Sequence, residues 1–513
     1  MKALLNDFLE SDWTLFAALF TFGLIAYANV LNGQFLYDDI SLVASNEHIR
    51  SFGYIKEWFT SSPTDGAQQL MGNPHYRPLQ TFVNATIYAF FGLKQMPFHL
   101  VSFLIHVINS LLVFKLLKKI KLSQIAAFIG SLLFLLHPVQ TESVSYIAGL
   151  PEPLGAFFLF LGLLFYIKPG LKNLAIALLL FVGALLSKEG MIVFAPLAVL
   201  LSLYFWRDYK PVQKKHVYSS IIAVSLLAAF YLILNFKFLH LGLEGEIADD
   251  IYHNSVFVRL INFVRVLWDY LILIICPIGL YFYKSTFVVD TPFTAQGLAG
   301  LAILIGGLIA AGYSFFKEKK IFLAVGWFLL AMLPYMGIIP TNAIYYEHWL
   351  YVSIIGWIIP VAVFYDYFKQ EKHQKIFLGV VLIILVLFTG RIILRNTEWS
   401  DSIKFYSNEI EYSPENPDWY YGIGRAYHLQ GELENATQYY QNAITLDENH
   451  FLSYYTLALI YEANGAPAEA EAAYLKIIEL SPEFLPAYQA LNNLYTGQGR
   501  LEEADNYDLS KKY

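Results

Sequence analysis

Cysteine and charge are both scarce in this chain of 513 residues. Its single cysteine, Cys276, excludes a disulfide framework and a zinc site built from cysteines. Charged residues make up 15% of the chain, against about 25% in an average soluble domain. Hydrophobic residues reach 57% and aromatic residues 17%. This composition excludes a water-soluble globule of this size, a disordered chain and a strongly basic nucleic-acid-binding protein.

The charges are divided unevenly along the chain. From Thr397 to the end there are 19 acidic and 6 basic residues, whereas the first 396 residues carry 28 basic and 22 acidic ones. We therefore expect a weakly basic membrane domain over residues 1–396 and an acidic, soluble domain over residues 397–513.

Apolar runs long enough to cross a membrane dominate the first domain. They predict an all-α, polytopic helical bundle with about 11 spans, at residues 13–31, 97–117, 122–137, 151–167, 172–187, 190–206, 217–236, 297–316, 321–340, 348–366 and 376–395. The first run lacks a small-residue cleavage site, so we interpret it as an anchor and not as a cleaved signal peptide. Residues 256–276 are apolar but contain Arg259, Arg265 and Asp269, and we expect an interfacial or re-entrant helix within an outer loop over residues 237–296.

Lysine and arginine lie in alternate loops, between spans 2 and 3, 4 and 5, 6 and 7, 8 and 9, and 10 and 11. Positively charged loops face the cytoplasm. The N-terminus is then cytoplasmic, and the C-terminal domain is periplasmic or lumenal. We expect a bacterial inner membrane, with the endoplasmic reticulum as the alternative.

A period of 34 residues begins beyond Asn396. Equivalent positions hold Tyr420, Tyr454 and Tyr488, then Gly431, Gly465 and Gly499, then Ala436, Ala470 and Ala504. This pattern resembles the tetratricopeptide repeat, a helix–turn–helix unit that stacks into a short solenoid. The repeats are expected to bind protein partners and to take no part in bond chemistry.

Two adjacent acids, Asp38 and Asp39, lie a few residues beyond the first span. Neighbouring carboxylates at an apolar boundary raise the pKa of one of them, which suits a general base, although such pairs are also common in turns. His75 and Arg77 follow in the same loop. Arg77 is a candidate for bidentate phosphate binding, with a side chain reaching the lipid headgroups as the alternative.

The other outer loops present polar residues at a similar depth. His137 and Glu142 follow span 3, with a helix cap before Pro138 as the alternative for His137. Lys188 and Glu189 form either an ion pair or part of a polar site. The remaining candidates are Glu152, which opens span 4, and Glu347 and His348. Ionisable residues at membrane depth are costly, so their convergence on one face indicates an active site.

The motifs follow one another in a recognisable order. They are YDD (Tyr37 to Asp39), HYRPL (His75 to Leu79), FHLVSFLIH (Phe98 to His106), HPVQTESV (His137 to Val144), SKEG (Ser187 to Gly190), GWFLLAMLPYMGIIP (Gly326 to Pro340) and EHWLY (Glu347 to Tyr351). With the repeats, this order resembles the multi-spanning O-mannosyltransferases that end in tetratricopeptide repeats, and their bacterial relatives, within the GT-C glycosyltransferase superfamily.

The resemblance implies a polyprenyl- or dolichyl-phosphate sugar donor, with mannose as the candidate sugar. It also implies a hydroxyl of a protein or glycan as acceptor on the outer or lumenal face, and inversion at the anomeric carbon. Asp38 or Asp39 would activate the acceptor. We take Glu142 as a further catalytic candidate, and the donor-phosphate or substrate-binding candidates are His75, Arg77, His137, Lys188, Glu189, Glu347 and His348.

Two positions depart from the family's pattern. Leu150 and His348 stand where the family usually has arginine, so two cations near the donor phosphate are missing or weakened. No cofactor is predicted with certainty, and the chain has no nucleotide-binding loop. A divalent metal is possible because carboxylates and histidines are present, although their spacing matches no metal-binding motif. One alternative is a non-enzymatic scaffold that recruits proteins through the repeats. The other is a transporter, which would have polar residues in the middle of its spans and two halves of similar sequence.

Overall fold

A computed structural model describes residues 11–67, 75–234, 255–284, 288–338 and 343–507. The described residues form helices and turns without a β-strand, which confirms the all-α prediction. The chain divides into two compact units, residues 1–400 and residues 401–513. Residue 397, where the sequence predicted the second domain to begin, lies inside the last helix of the first unit.

Thirteen long helices of the described residues make up the first unit. They are α1 (Asp12–Tyr27), α2 (Pro78–Phe91), α3 (Gln95–Lys119), α4 (Gln124–Leu136), α5 (Pro151–Tyr166), α6 (Leu171–Ser187), α7 (Phe194–Phe205), α8 (Pro211–Leu234), α9 (Val256–Ile275), α10 (Ala295–Lys317), α11 (Lys319–Ala331), α12 (Ile355–Tyr367) and α13 (Glu371–Trp399). Local sequence fixes several of their starts. Ser123 caps α4 by accepting from the backbone N–H of Ala126, and proline occupies the first position of α2 and α5.

The predicted count of 11 spans is not confirmed. Among the described residues, six helical segments are long and apolar enough to cross a membrane, namely Asp12–Val30, Gln95–Lys119, Ile147–Tyr166, Gln213–Leu234, Ala295–Lys317 and Glu371–Trp399. The number rises to eight if two bent pairs, Gln124–Leu136 with Pro138–Ser145 and Glu347–Ser353 with Ile355–Tyr367, each form one span. Helix length explains part of the difference. At 1.5 Å per residue, the 13 residues of α11 extend about 20 Å, less than the hydrocarbon core.

Helix α9 covers the segment that the sequence could not assign to a span. It is a continuous helix of 20 residues, and it is absent from the candidate spans. Arg259 and Arg265 are each only 5% exposed, and the Arg259 guanidinium donates to the carbonyl of Gly337 at 2.6 Å. Its placement at the membrane interface stays a prediction.

Short helical turns, and not extended loops, join the helices at one end of the bundle. Three of them lie between α4 and α5, at Pro138–Gln140, Thr141–Ser145 and Ile147–Gly149. Another, Glu189–Val193, joins α6 to α7, and Glu347–Trp349 precedes α12. Most of their residues are buried. These turns bring polar side chains into an apolar surrounding, where each one needs a partner.

The second unit is built from helix pairs. Its described helices are α14 (Ser402–Tyr412), α15 (Pro417–Leu429), α16 (Leu433–Leu446), α17 (Phe451–Ala463), α18 (Pro467–Leu480), α19 (Leu485–Gly497) and α20 (Leu501–Asp505). Gly431, Gly465 and Gly499 follow the first helix of successive pairs with φ of 80°, 70° and 75°. Glycine adopts this left-handed conformation without strain, so the 34-residue period reflects a repeated turn.

Candidate active site

The loop after α1 is held in a strained turn around the two aspartates. Tyr37 has a φ of 42°, which a residue with a side chain rarely adopts. Asp39 closes the turn: its backbone N–H donates to the carbonyl of Leu36 at 2.7 Å, and its carboxylate accepts from the N–H of Leu36 at 2.9 Å. Strain of this kind persists only where surrounding contacts enforce it, and it is common at functional sites.

The two aspartates differ in their surroundings. Asp39 is 1% exposed, and its second oxygen accepts from the backbone N–H of Ala148 at 2.7 Å. Burial raises the pKa of Asp39 well above its usual range, and hydrogen bonds from Leu36 and Ala148 oppose this shift. Asp38 is partly exposed, and its backbone N–H donates to the hydroxyl of Tyr146 at 2.9 Å. Asp39 therefore holds the loop in place, while Asp38 is the more exposed of the two acids.

An aromatic cluster connects this loop to the other polar residues. The ring of Phe282 lies 5.5 Å from those of Tyr37 and Tyr146, 6.1 Å from Trp399 and 5.9 Å from Tyr346. These edge and tilted contacts form a rigid apolar wall. The wall joins segments that are far apart in sequence.

A first ion-pair network links the turn after α4 to the turn before α12. Glu142 accepts from the backbone N–H of His348 at 3.0 Å and is hydrogen-bonded to its ring Nδ1 at 2.5 Å. The other ring nitrogen of His348 lies 4.0 Å from Glu152, and Glu152 pairs with Lys188. Lys188 and Glu152 are 6% and 4% exposed. Buried charges persist in such networks because each has an opposite partner.

A second ion-pair network joins the loop before α2 to the turn after α6. Arg77 binds Glu189 in a bidentate manner, with nitrogen–oxygen distances of 2.8 and 3.2 Å. His75 lies 3.6 Å from the same carboxylate. The alternative that Lys188 and Glu189 pair with each other is wrong, because their side chains have separate partners in the two networks.

The two networks are electrostatically coupled. The charges of Lys188, Glu152, Arg77 and Glu189 all act on His348. The structure thus brings eight sequence candidates together at one end of the bundle: His75, Arg77, Glu142, Glu152, Lys188, Glu189, Glu347 and His348. Among the described residues, no group of three or more His, Cys, Asp or Glu side chains is arranged to hold a metal ion.

His137 lies apart from the networks. Its Nε2 is 3.0 Å from the carbonyl oxygen of Ile274, and its Nδ1 accepts from the backbone N–H of Val139 at 3.3 Å. Both ring nitrogens are thus engaged by the backbone, and the ring packs on Phe388. This geometry corrects the assignment of His137 as a binding residue and matches the alternative of a helix cap before Pro138.

Two cations of the site were missed in the sequence. Lys284 pairs with Glu347 at 2.9 Å, with the two side chains 1% and 0% exposed. Arg395 is 0% exposed, and its charge acts on Glu142 and Glu347. Arg395 could have been found from its position at the C-terminal end of the last apolar run, where an arginine is costly. Lys284 sits in a loop without a span pattern, so only the fold reveals its partner.

Comparisons with known proteins agree with this architecture. Tetratricopeptide-repeat family models match residues 417–450 and 452–484. The protein O-mannosyl-transferase F38B6.6 of Caenorhabditis elegans is 24% identical over 441 residues, covering 82% of this chain and 60% of the relative. The human protein O-mannosyl-transferase TMTC4 is 24% identical over 460 residues, covering 78% of this chain and 62% of the relative. The homologues of the present chain are thus named protein O-mannosyl-transferases.

A third relative, the protein O-mannosyl-transferase tmtc2 of Xenopus laevis, is 32% identical over 152 residues, covering 28% of this chain and 18% of the relative. The resemblance to O-mannosyltransferases with tetratricopeptide repeats is confirmed, and the candidate spans and these homologues support a membrane protein. The chain spans about three fifths of the length of the first two relatives. A crystal structure of MamA, 24% identical, covers 30% of this chain and 84% of that protein at a TM-score of 0.20, too low to bear on the fold.

Proposed function

We propose that this chain is a membrane glycosyltransferase that moves a sugar, mannose by analogy with its named relatives, from a polyprenyl-phosphate donor to a hydroxyl of a protein. The observation that carries the proposal is the meeting of Arg77, Lys188, Lys284 and His348 with four glutamates at the end of the bundle where Asp38 also lies. A donor with a lipid tail presents its phosphate at the membrane surface, where such a set can meet it.

Asp38 is the general base of the proposed reaction. Its carboxylate takes the proton of the acceptor hydroxyl, and the hydroxyl oxygen attacks the anomeric carbon of the sugar. The bond between that carbon and the phosphate oxygen breaks, and the lipid phosphate leaves with the electron pair. Attack from the face opposite the phosphate inverts the anomeric configuration. Asp39 supports this step indirectly, because its bonds to Leu36 and Ala148 fix the turn that carries Asp38.

The cations serve the leaving phosphate. Arg77 presents a planar guanidinium, which binds phosphate oxygens in pairs. Its partner Glu189 holds it in place before the donor arrives. Lys188 is held in the same way by Glu152, and Glu142 holds the imidazole of His348 as a further hydrogen-bonding group beside them. Lys284 and Arg395 supply charge on the same side and stand in for the two arginines that the family pattern has and this chain lacks.

The repeats recruit the protein acceptor in this proposal. Solenoids of helix pairs present extended surfaces for protein segments, and the charge pattern of the loops supports a periplasmic or lumenal location for this unit. A reporter fused after Tyr513 tests the orientation. Activity on that side supports the proposal, and activity in the cytoplasm would put Asp38 on the wrong side of the membrane for the acceptor.

The experiment for the activity uses the purified full chain in lipid vesicles. It is incubated with a polyprenyl-phosphate mannose and a serine- and threonine-rich acceptor peptide, and the peptide is weighed by mass spectrometry. The proposal expects a gain of one hexose with the lipid donor and none with a nucleotide sugar. An acceptor that binds the repeats and remains unmodified with every donor would favour the scaffold alternative.

A further inference from the structure

Tyr335 belongs to a motif to which the proposed function assigns no role, the run from Gly326 to Pro340. It ends a helical turn, Leu333–Tyr335, that follows α11 and packs on the turn Glu189–Val193. Its ring lies parallel to that of Trp349, with the ring centroids 4.4 Å apart and an angle of 9° between the planes. This stacking fixes the plane of the phenol ring, and with it the position of the hydroxyl.

The hydroxyl of Tyr335 occupies space that a glycine at position 190 leaves open. A Cβ atom at Gly190 would overlap the hydroxyl oxygen, because nonbonded heavy atoms do not approach so closely. The residue before this glycine is Glu189, which binds Arg77. The Tyr335 hydroxyl therefore lies next to the second ion-pair network.

Within the part of the chain that the structure describes, the Tyr335 hydroxyl forms no hydrogen bond. The side chain is half-buried. The charges of Glu152, Glu189 and Arg77 all act on the phenol, so both ion-pair networks are within electrostatic reach of it. A polar group in such a surrounding costs free energy until something accepts its hydrogen bond, which leaves this O–H group ready for a ligand.

The surroundings of this hydroxyl favour an anionic ligand. Arg77 and Lys188 each have one carboxylate as partner, Glu189 and Glu152 respectively. A third cation at this place would lack a carboxylate before the donor binds, whereas a phenol is neutral and needs no counter-ion. A phenol still donates to a phosphate oxygen, and a hydrogen bond to a charged acceptor is stronger than one between neutral groups.

We propose that Tyr335 is a donor-binding residue, whose hydroxyl donates a hydrogen bond to an oxygen of the donor phosphate beside the guanidinium of Arg77. This role rests on the proposed function, and it gives the phosphate site a neutral hydrogen-bond donor in addition to its cations. Trp349 holds the ring in position for this bond, and Gly190 leaves room for the hydroxyl.

Isothermal titration of the purified full chain in detergent tests this role without a transfer reaction. The ligands are a short, water-soluble prenyl phosphate and its mannose ester. Tyr335→Phe keeps the ring and its stacking on Trp349 and removes only the hydroxyl. We expect the Kd of both ligands to rise by about tenfold or more, the effect of one lost hydrogen bond to a charged acceptor. The thermal unfolding midpoint should stay at the wild-type value, because no hydrogen bond between described residues is lost.

Tyr88→Phe is the matched control. Tyr88 is a half-buried tyrosine of α2 whose hydroxyl also forms no hydrogen bond among the described residues, and its loss should leave both Kd values unchanged. Equal Kd values in Tyr335→Phe and the wild type would overturn the role of Tyr335 and leave the proposed function standing. A loss confined to the mannose ester would place the hydroxyl on the sugar and would also overturn it. Binding of neither ligand by the wild type would contradict the donor of the proposed function, and this role with it.

Gly190→Ala tests the geometry with a second variant. The added methyl group collides with the hydroxyl of Tyr335 and should raise both Kd values by a similar factor. In Tyr335→Phe/Gly190→Ala the nearest remaining ring atom lies 3.2 Å from the added carbon, so the second change should add little to the first. Such non-additivity is expected of residues in contact. Additive losses would show that the glycine and the hydroxyl act separately, and would contradict the contact on which the proposal depends.

Discussion

The carboxylate of Asp39 accepts a hydrogen bond from the backbone N–H of Ala148 at 2.7 Å, and so joins two loops that are 109 residues apart in sequence. Its other oxygen holds the N–H of Leu36. One buried side chain thus fixes both the turn that carries Asp38 and the turn that follows Glu142.

Removal of the Asp39 carboxylate should loosen the loop. Asp39→Ala leaves the N–H groups of Leu36 and Ala148 without their acceptor, which costs about 1–3 kcal/mol each when the groups are buried. We expect a lower thermal unfolding midpoint of the purified protein. Asp39→Asn retains one acceptor oxygen, so its unfolding midpoint should lie between those of Asp39→Ala and the wild type. An unchanged midpoint in Asp39→Ala would show that the turn is held by other contacts.

The stability of the protein should also depend on the protonation of Asp39. Burial raises the pKa of Asp39 in the folded state, whereas the unfolded chain has the ordinary value of about 3.9. Protonation therefore favours the folded state: this contribution is complete below about pH 4 and is lost as the pH rises through the folded pKa. Thermal unfolding from pH 4 to pH 8 should show a smaller fall with rising pH in Asp39→Asn than in the wild type. Parallel curves would contradict the assignment.

Arg77 should act on the donor through its charge. Arg77→Ala is expected to raise the KM for a polyprenyl-phosphate sugar by roughly 10- to 100-fold, the value of a lost charge-assisted pair of hydrogen bonds. The comparison is a steady-state titration of donor at saturating acceptor. Lys56→Gln removes an exposed positive charge from the same outer loop and serves as the control. A KM in Arg77→Ala that equals the control would remove Arg77 from donor binding.

The ion pair between Lys284 and Glu347 should anchor the loop that contains Lys284 to the candidate site. Both side chains are buried, so Lys284→Met leaves an unpaired carboxylate and should destabilise the protein by about 3–5 kcal/mol. In Lys284→Met/Glu347→Leu the uncompensated charge is gone, and most of that stability should return. Unfolding of the two variants in detergent with a denaturant gives the comparison. If the double variant is no more stable than the single one, the pair is not the source of the effect.

Much of the architecture could be read from the sequence because apolar runs and repeated small residues determine it locally. The turns after Gly431, Gly465 and Gly499 follow directly from their spacing. The count of 11 spans is not confirmed, because hydropathy does not show where a helix ends. The runs at 172–187 and 321–340, for example, form helices of only 17 and 13 residues.

The sequence predicted most of the residues of the candidate site but not which of them pair with each other. Polar residues at outer helix ends could be recognised because an ionisable group is costly there. The partners of Lys188 and Glu189 could not be predicted, because these neighbours in sequence point in different directions at a turn. Lys188 pairs with Glu152, and Glu189 pairs with Arg77. The difference between Asp38 and Asp39 could not be predicted either, because it depends on a hydrogen bond from Ala148 to Asp39.

The central claim is that Asp38 is the base of a sugar transfer. The most direct measurement is the rate at which purified Asp38→Asn, in lipid vesicles, transfers mannose from a polyprenyl-phosphate donor to an acceptor peptide. Loss of a general base predicts a rate about 10²- to 10⁴-fold below wild type, with normal membrane insertion and with Glu47→Gln, an exposed acid of the same loop, unchanged. Transfer by Asp38→Asn at a rate close to that of the wild type would contradict the proposed mechanism.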